Sequence, residues 1–165
     1  MTEMHDALHQ HLEAMATFMR ALSNPGKPLP YAGMEDFVLR EGRDMDLTPT
    51  DPQLEMGTAK ECFANATHYM LQNQGCVYAE GYVISPKLPI AIHHAWVLNP
   101  EGLVLDPTLE WREGAAYMGV SFTRKDLLRR ITKSGYYGLF CADGIRISDL
   151  VLGLDKKFTY KGKSA

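Results

Sequence analysis

Cysteine is scarce in this chain. The three present, Cys62, Cys76 and Cys141, are an odd number without dense disulfide spacing, which points to a reducing compartment. The opening Met1-Thr2-Glu3-Met4-His5-Asp6 lacks a basic segment followed by an apolar one, so no secretion signal is expected. No apolar run reaches membrane-spanning length. Lysine and arginine are dispersed, apart from Arg124-Lys125, Arg129-Arg130 and the last lysines, and the net charge is -3. That balance excludes a broad nucleic-acid-binding surface and leaves at most a local anionic contact. There is no His-Glu-x-x-His run, no Cys-x-x-Cys knuckle, no repeat and no low-complexity tract. The expectation is a cytoplasmic protein with no membrane partner, no metal and no cofactor.

With 165 residues and 45% hydrophobic content, the chain suits a single domain with its own core. Met4, Leu8, Leu12, Met15, Phe18, Met19 and Leu22 recur at helical spacing over residues 3–22 and predict an amphipathic helix, ended by Ser23-Asn24-Pro25-Gly26. His5 and His9, four apart on that helix, read as a solvated face. Proline and glycine over 25–33 predict an extended connection, Glu35–Arg40 a short helix, and 41–52 a polar loop. The irregular stretch 26–52 reads either as a lid or as a static cover of the sheet. A second helix is expected from Ala59 to about Asn73, with Thr58 and Glu61 as a capping box and Gln74-Gly75 as its stop.

Strands are predicted at Cys76–Ser85, Ile90–Leu98, Leu103–Leu105 and Tyr117–Phe122, with Asn99-Pro100-Glu101-Gly102 turning the second into the third as an antiparallel hairpin. Thr123 caps a helix over Arg124–Thr132, Ile145–Leu152 forms another short helix, and 155–165 is a polar tail expected to fray. The fold class is α+β, with the second helix laid on an antiparallel sheet. Residues 1–56 form an N-terminal helix and irregular cover, and 57–122 the core.

Chemistry concentrates in three residues. Cys62 lies in the first turn of a helix, where unpaired amides favour negative charge. His94 on a strand is a partner for the thiol, as acid and then base, and Asp106 at the end of the next strand can orient the imidazole. The Cys62 amide is a reasonable oxyanion donor; Tyr31, Gln53 and Asn65 are undistinguished candidates for a second. Strand alternation sends His93 and His94 to opposite faces, so only one of them serves the thiol, but parity alone does not choose which.

The choice comes from a resemblance. Cys62-Phe63-Ala64-Asn65-Ala66, His94-Ala95-Trp96-Val97, the Asn99–Gly102 turn and Val104-Leu105-Asp106-Pro107-Thr108 resemble the nucleophile helix and the histidine and aspartate strands of the transglutaminase-like branch of the papain-like cysteine peptidase superfamily. The similarity covers residues 57–109, and small bacterial and bacteriophage members share the same order. It implies a papain-like core with Cys62 as nucleophile, His94 as base and Asp106 as its orienting partner. It further implies hydrolysis of an amide, peptide or isopeptide bond through a thioester, with deamidation or acyl transfer on the same triad as an alternative. The glycine-rich or tryptophan-bearing segment beside the cysteine of larger relatives is missing, which disfavours cross-linking.

The expected partner is a protein, peptide or small-amide substrate. Trp96, Glu80, Tyr78, Tyr82 and Tyr117 are candidates for lining its cleft, set against the plainer role of core residues. Cys76 and Cys141 read as packing cysteines. Two other readings compete: a zinc site built on Cys62, His94 and Asp106, and a non-catalytic binding module on the same scaffold.

Overall fold

The computed structural model describes residues 3–23, 26, 29–48, 54–140 and 146–155. Its helices are α1 (Glu3–Leu22), α2 (Met34–Glu41), α3 (Cys62–Gln72), α4 (Arg124–Ser134) and α5 (Ile147–Leu150). Its strands are β1 (Arg43–Met45), β2 (Val77–Ser85), β3 (Leu88–Leu98), β4 (Val104–Leu105) and β5 (Ala116–Phe122). The strands form one antiparallel sheet in the order β1-β5-β2-β3-β4, with α1, α2 and α3 packed against it. The α+β class expected from the sequence therefore holds.

The sheet curls until its edges meet. Beyond β1, Thr48 N–H donates to the Val104 carbonyl (3.0 Å) and Val104 N–H to the Asp46 carbonyl (2.8 Å), stitching the β1 side to β4. Side-chain alternation along the strands then separates two apolar clusters. One joins Leu8 and Leu12 of α1, Phe37 and Val38 of α2, and Ala66 and Met70 of α3 to Tyr78, Val97, Val120 and Phe122 of the sheet. The other holds Met45, Ala79, Val83, Trp96, Leu98, Val104 and Tyr117, with no helical residue among them. Among the described residues this second cluster is built from the strands of the curled sheet. Gly81 and Gly119 pair across β2 and β5, where a Cβ at position 81 would lie 2.2 Å from the Met118 carbonyl oxygen. A Cβ at position 119 would lie 2.7 Å from the Trp96 ring, so both glycines serve close approach.

Local signals account for much of this. Asn99 Oδ1 accepts from Glu101 N–H (3.1 Å) and Leu103 N–H (2.8 Å), closing the β3–β4 hairpin. The Thr123 hydroxyl accepts from Asp126 N–H at the start of α4, and Gly135, with φ 76°, ends it in the left-handed conformation.

Three expectations need correction. The stripe on α1 is only half used: Leu8 and Leu12 are buried, whereas Met15, Phe18 and Leu22 are exposed, because the buried face runs through His5, Leu8, Leu12 and Ala16 and these three lie to one side of it. His5 and His9 do not form a solvated face; His5 is buried and His9 bonds Asp44 of β1 (2.9 Å). The polar loop after Glu41 contains β1, which pairs Asp44 with Met118 of β5. Three residues carry no alternation signal, and the strand exists because its neighbour supplies the ladder. Residues 29–48 thus carry α2, packed on the sheet, and β1, a strand at its edge. The tail beyond 155, Cys141 and Gln53 lie outside the described residues.

Candidate active site

Cys62 is the first residue of α3, later than the expected start at Ala59. Lys60 adopts a left-handed backbone (φ 68°), and the Glu61 N–H turns back to the Thr58 carbonyl (3.2 Å). Glu61 is the cap residue, and no side chain caps the helix, so the Thr58/Glu61 box does not form. Asn65 N–H bonds the Glu61 carbonyl (2.8 Å), while the amides of Cys62, Phe63 and Ala64 precede the first helical acceptor. The loop leading in is strapped to the segment after β4. The Asn65 side-chain amide donates to the Thr58 carbonyl (2.7 Å) and the Thr108 hydroxyl (2.9 Å), and Gly57 N–H donates to the Pro107 carbonyl (2.7 Å).

His94 is only 2% exposed, and its Nε2 bonds Asp106 Oδ2 at 2.7 Å. That leaves Nδ1 as the ring nitrogen for the thiol. Asp106 is fully buried and saturated with donors: the Tyr117 hydroxyl on Oδ2 (2.8 Å), and Thr108 and Leu109 N–H on Oδ1 (2.9 and 3.0 Å). Burial raises the Asp106 carboxyl, but the His94 hydrogen bond and charge and the two amides outweigh it and hold the group below its ordinary value. Burial and the Asp106 charge push the Tyr117 phenol well above its ordinary value, so it remains a donor. Behind the imidazole, Trp96 lies nearly parallel to it (6.3 Å, 23°) and meets Tyr117 edge-on (5.1 Å). The indole N–H of Trp96 donates to Met45 Sδ (3.2 Å).

For His94, burial opposes protonation, while the Asp106 hydrogen bond, the hydrogen-bonding influence of the neighbouring Cys62 thiol and the charges of both favour it. The balance raises the imidazole from 6.5 to about 9. Because the folded value lies above the unfolded one, the stabilisation is complete below pH 6.5 and is lost as pH rises through about 9. Its size is on the order of 3 kcal/mol. Urea unfolding of the wild-type protein and His94→Gln should therefore give a stability gap that is large at pH 6 and narrows by pH 9.5. A gap independent of pH would refute this protonation scheme.

Cys62 and His94 line one cleft of about 440 Å³ together with His93. Phe63, Ile92, Leu109 and Trp111 add apolar wall, and Lys60 and Thr108 complete it. Cys62 itself is 7% exposed. His93, on the opposite strand parity, bonds Glu80 Oε1 (2.8 Å) and stacks on Phe140 (5.2 Å, 4° between planes). The two imidazoles thus have different carboxylate partners, although alternation does not keep them out of the same cleft.

None of the five residues suggested for the substrate cleft lines it; Tyr117 is buried against Asp106. Trp96 and Tyr78 are fully buried, the one behind His94 and the other bonding Glu80. Tyr82 is 9% exposed and donates to Glu35 (2.9 Å). Glu80, fully buried, accepts from the Tyr78 hydroxyl (2.7 Å), Leu139 N–H (2.7 Å) and Phe140 N–H (2.9 Å) as well as His93. A charge interrupting an apolar strand marks an anchor for the segment after α4, not a cleft.

Of the candidate oxyanion donors, Tyr31 donates to Glu41 (2.5 Å) and the Asn65 amide is committed to the strap. Cys76 is half-buried, its thiol pushed up by burial and by the Glu101 charge. Trp111 is invisible as a site residue in the sequence, because only the course of the loop after Asp106 carries it to the cleft; Tyr117 reads there as a cleft aromatic, and only the tertiary register reveals its bond to Asp106.

Among the described residues, no group of three or more His, Cys, Asp or Glu side chains is arranged to hold a metal ion, and no helix is long and apolar enough to cross a membrane. No family model, curated protein or solved structure matches the chain.

Proposed function

We propose that the protein is a thiol-dependent hydrolase of amide, peptide or isopeptide bonds, acting through Cys62, His94 and Asp106 on a papain-like, transglutaminase-like scaffold. One arrangement supports the reading above all. An imidazole, fixed through Nε2 by a buried and saturated carboxylate, shares a cleft with a cysteine at the start of a helix.

In this mechanism the Cys62 thiolate attacks the substrate carbonyl carbon while the imidazolium of His94 holds the proton. The carbonyl oxygen takes the negative charge opposite the Cys62 backbone N–H, which has no helical acceptor. Collapse of the tetrahedral adduct breaks the carbon–nitrogen bond, and His94 gives its proton to the departing amine. The neutral imidazole next removes a proton from water, the hydroxide adds to the thioester, and the carboxylic acid leaves as Cys62 regains its ion pair. An amine acceptor in place of water gives acyl transfer, and a side-chain carboxamide as substrate gives deamidation. Asp106 keeps one imidazole orientation through both halves.

The near closure of Cys62 favours a second reading, a binding module with a retained but silent triad. Alkylation with iodoacetamide at pH 7, followed by peptide mass mapping, separates the two. A hydrolase is expected to lose Cys62 well before Cys76 and Cys141. Equal, slow reaction of all three thiols would overturn the hydrolase in favour of the binding module.

A further inference from the structure

Trp111 has no evident structural employment. It is half-buried, belongs to neither apolar cluster, and its indole N–H has no partner among the described residues. Tryptophan brings a large apolar area at low entropic cost, and here that area is spent on the wall of the cleft that contains Cys62. Phe63, Ile92 and Leu109 share the wall, so the volume beside the thiol is bounded mainly by carbon.

The segment carrying Trp111 is held in place. Asp106 Oδ1 takes the amides of Thr108 and Leu109, Leu109 is buried, and Arg112 returns to the Leu109 carbonyl (3.1 Å). The carboxylate that orients His94 through one oxygen thus fixes the approach to the wall through the other. A pocket whose wall is tied to its base in this way is pre-formed, and pre-formed apolar pockets discriminate by side chain.

We infer that the cleft selects substrates whose acyl residue carries an apolar aliphatic or aromatic side chain, with Trp111 as the main specificity contact. This rests on the thiol hydrolase reading above. The carbonyl carbon sits at Cys62 and its side chain lies against Trp111, Phe63 and Ile92. A glutaminyl or seryl side chain of the acyl residue would lose water there without gaining a partner, which disfavours it. Specificity therefore resides in the loop after β4 and not in the strands.

The test is a series of N-acetyl-aminoacyl chloromethyl ketones, with leucyl, phenylalanyl, glutaminyl and seryl members, each rate at Cys62 divided by its rate with free cysteine. The leucyl and phenylalanyl reagents are expected to exceed the other two by about tenfold or more. Trp111→Ala is expected to reduce that ratio to within about threefold, with Trp111→Phe between. Equal normalised rates in the wild-type protein, or a preference that survives Trp111→Ala, would overturn the inference while leaving the hydrolase intact, provided that Cys62 still outpaces Cys76. If no reagent favours Cys62, the hydrolase reading falls and the inference falls with it.

Discussion

Replacing His94 by alanine is expected to slow turnover of an activated acyl ester at Cys62 by about 10²–10⁴-fold, the usual contribution of a positioned acid–base group. The measurement is release of p-nitrophenolate from p-nitrophenyl acetate, with the acetyl group on Cys62 followed by intact mass. Wild type should show a burst and then steady turnover. His94→Ala should lose both, because the thiol lacks its ion-pair partner and the thioester its base. His93→Ala is the informative contrast. His93 lines the same cleft but bonds Glu80, and its loss should cost much less turnover than loss of His94. If the two histidines prove interchangeable, the assignment of the base to His94 is wrong.

Glu80→Ala is expected to destabilise the protein by about 3–5 kcal/mol, which lowers the melting temperature by roughly 6–20 °C for a domain of this size. Glu80 is fully buried and gathers four donors: a phenol, an imidazole and the amides of Leu139 and Phe140. Truncation leaves these donors facing a cavity from which water is largely excluded, and each unpartnered group carries its own desolvation cost. Part of the loss should appear locally, because the two amides hold the segment after α4 and Phe140 stacks on His93. Thermal unfolding followed by circular dichroism decides the point. A fall of less than about 2 °C would mean that this network contributes little.

The sequence revealed those features in which a short run carries its own physics. Asn99 and Gly102 announce a hairpin and Thr123 a helix start, and each has its expected counterpart in the fold, whereas the doublet His93-His94 divides its carboxylate partners but not its cleft. Features decided by distant neighbours were not legible. β1 has three residues and owes its conformation to β5, and Glu80 owes its role to amides some sixty residues further on. The start of α3 lies between these cases. Thr58 and Glu61 have the right spacing for a capping box, but the strap from Asn65 and Gly57 to the segment after β4 holds Thr58 elsewhere, and Lys60 turns left-handed to meet it. The three residues proposed as a triad are read from the short runs that carry them, whereas Trp111 has no such run.

The seam between Asp46–Thr48 and Val104 bears on how the chain reaches its fold. Its two sides are far apart in sequence, and α3, β2 and β3 lie between them. Contacts of that separation return nothing until the loop-closure entropy of everything between has been met, so they form late and slowly. The bonds of Asp106 are of another kind: it meets His94 across the β3–β4 hairpin, 12 residues apart, and Tyr117 11 residues further on. The histidine–carboxylate pair therefore belongs to the local part of the topology, whereas Cys62, 32 residues before His94, joins it through a longer closure.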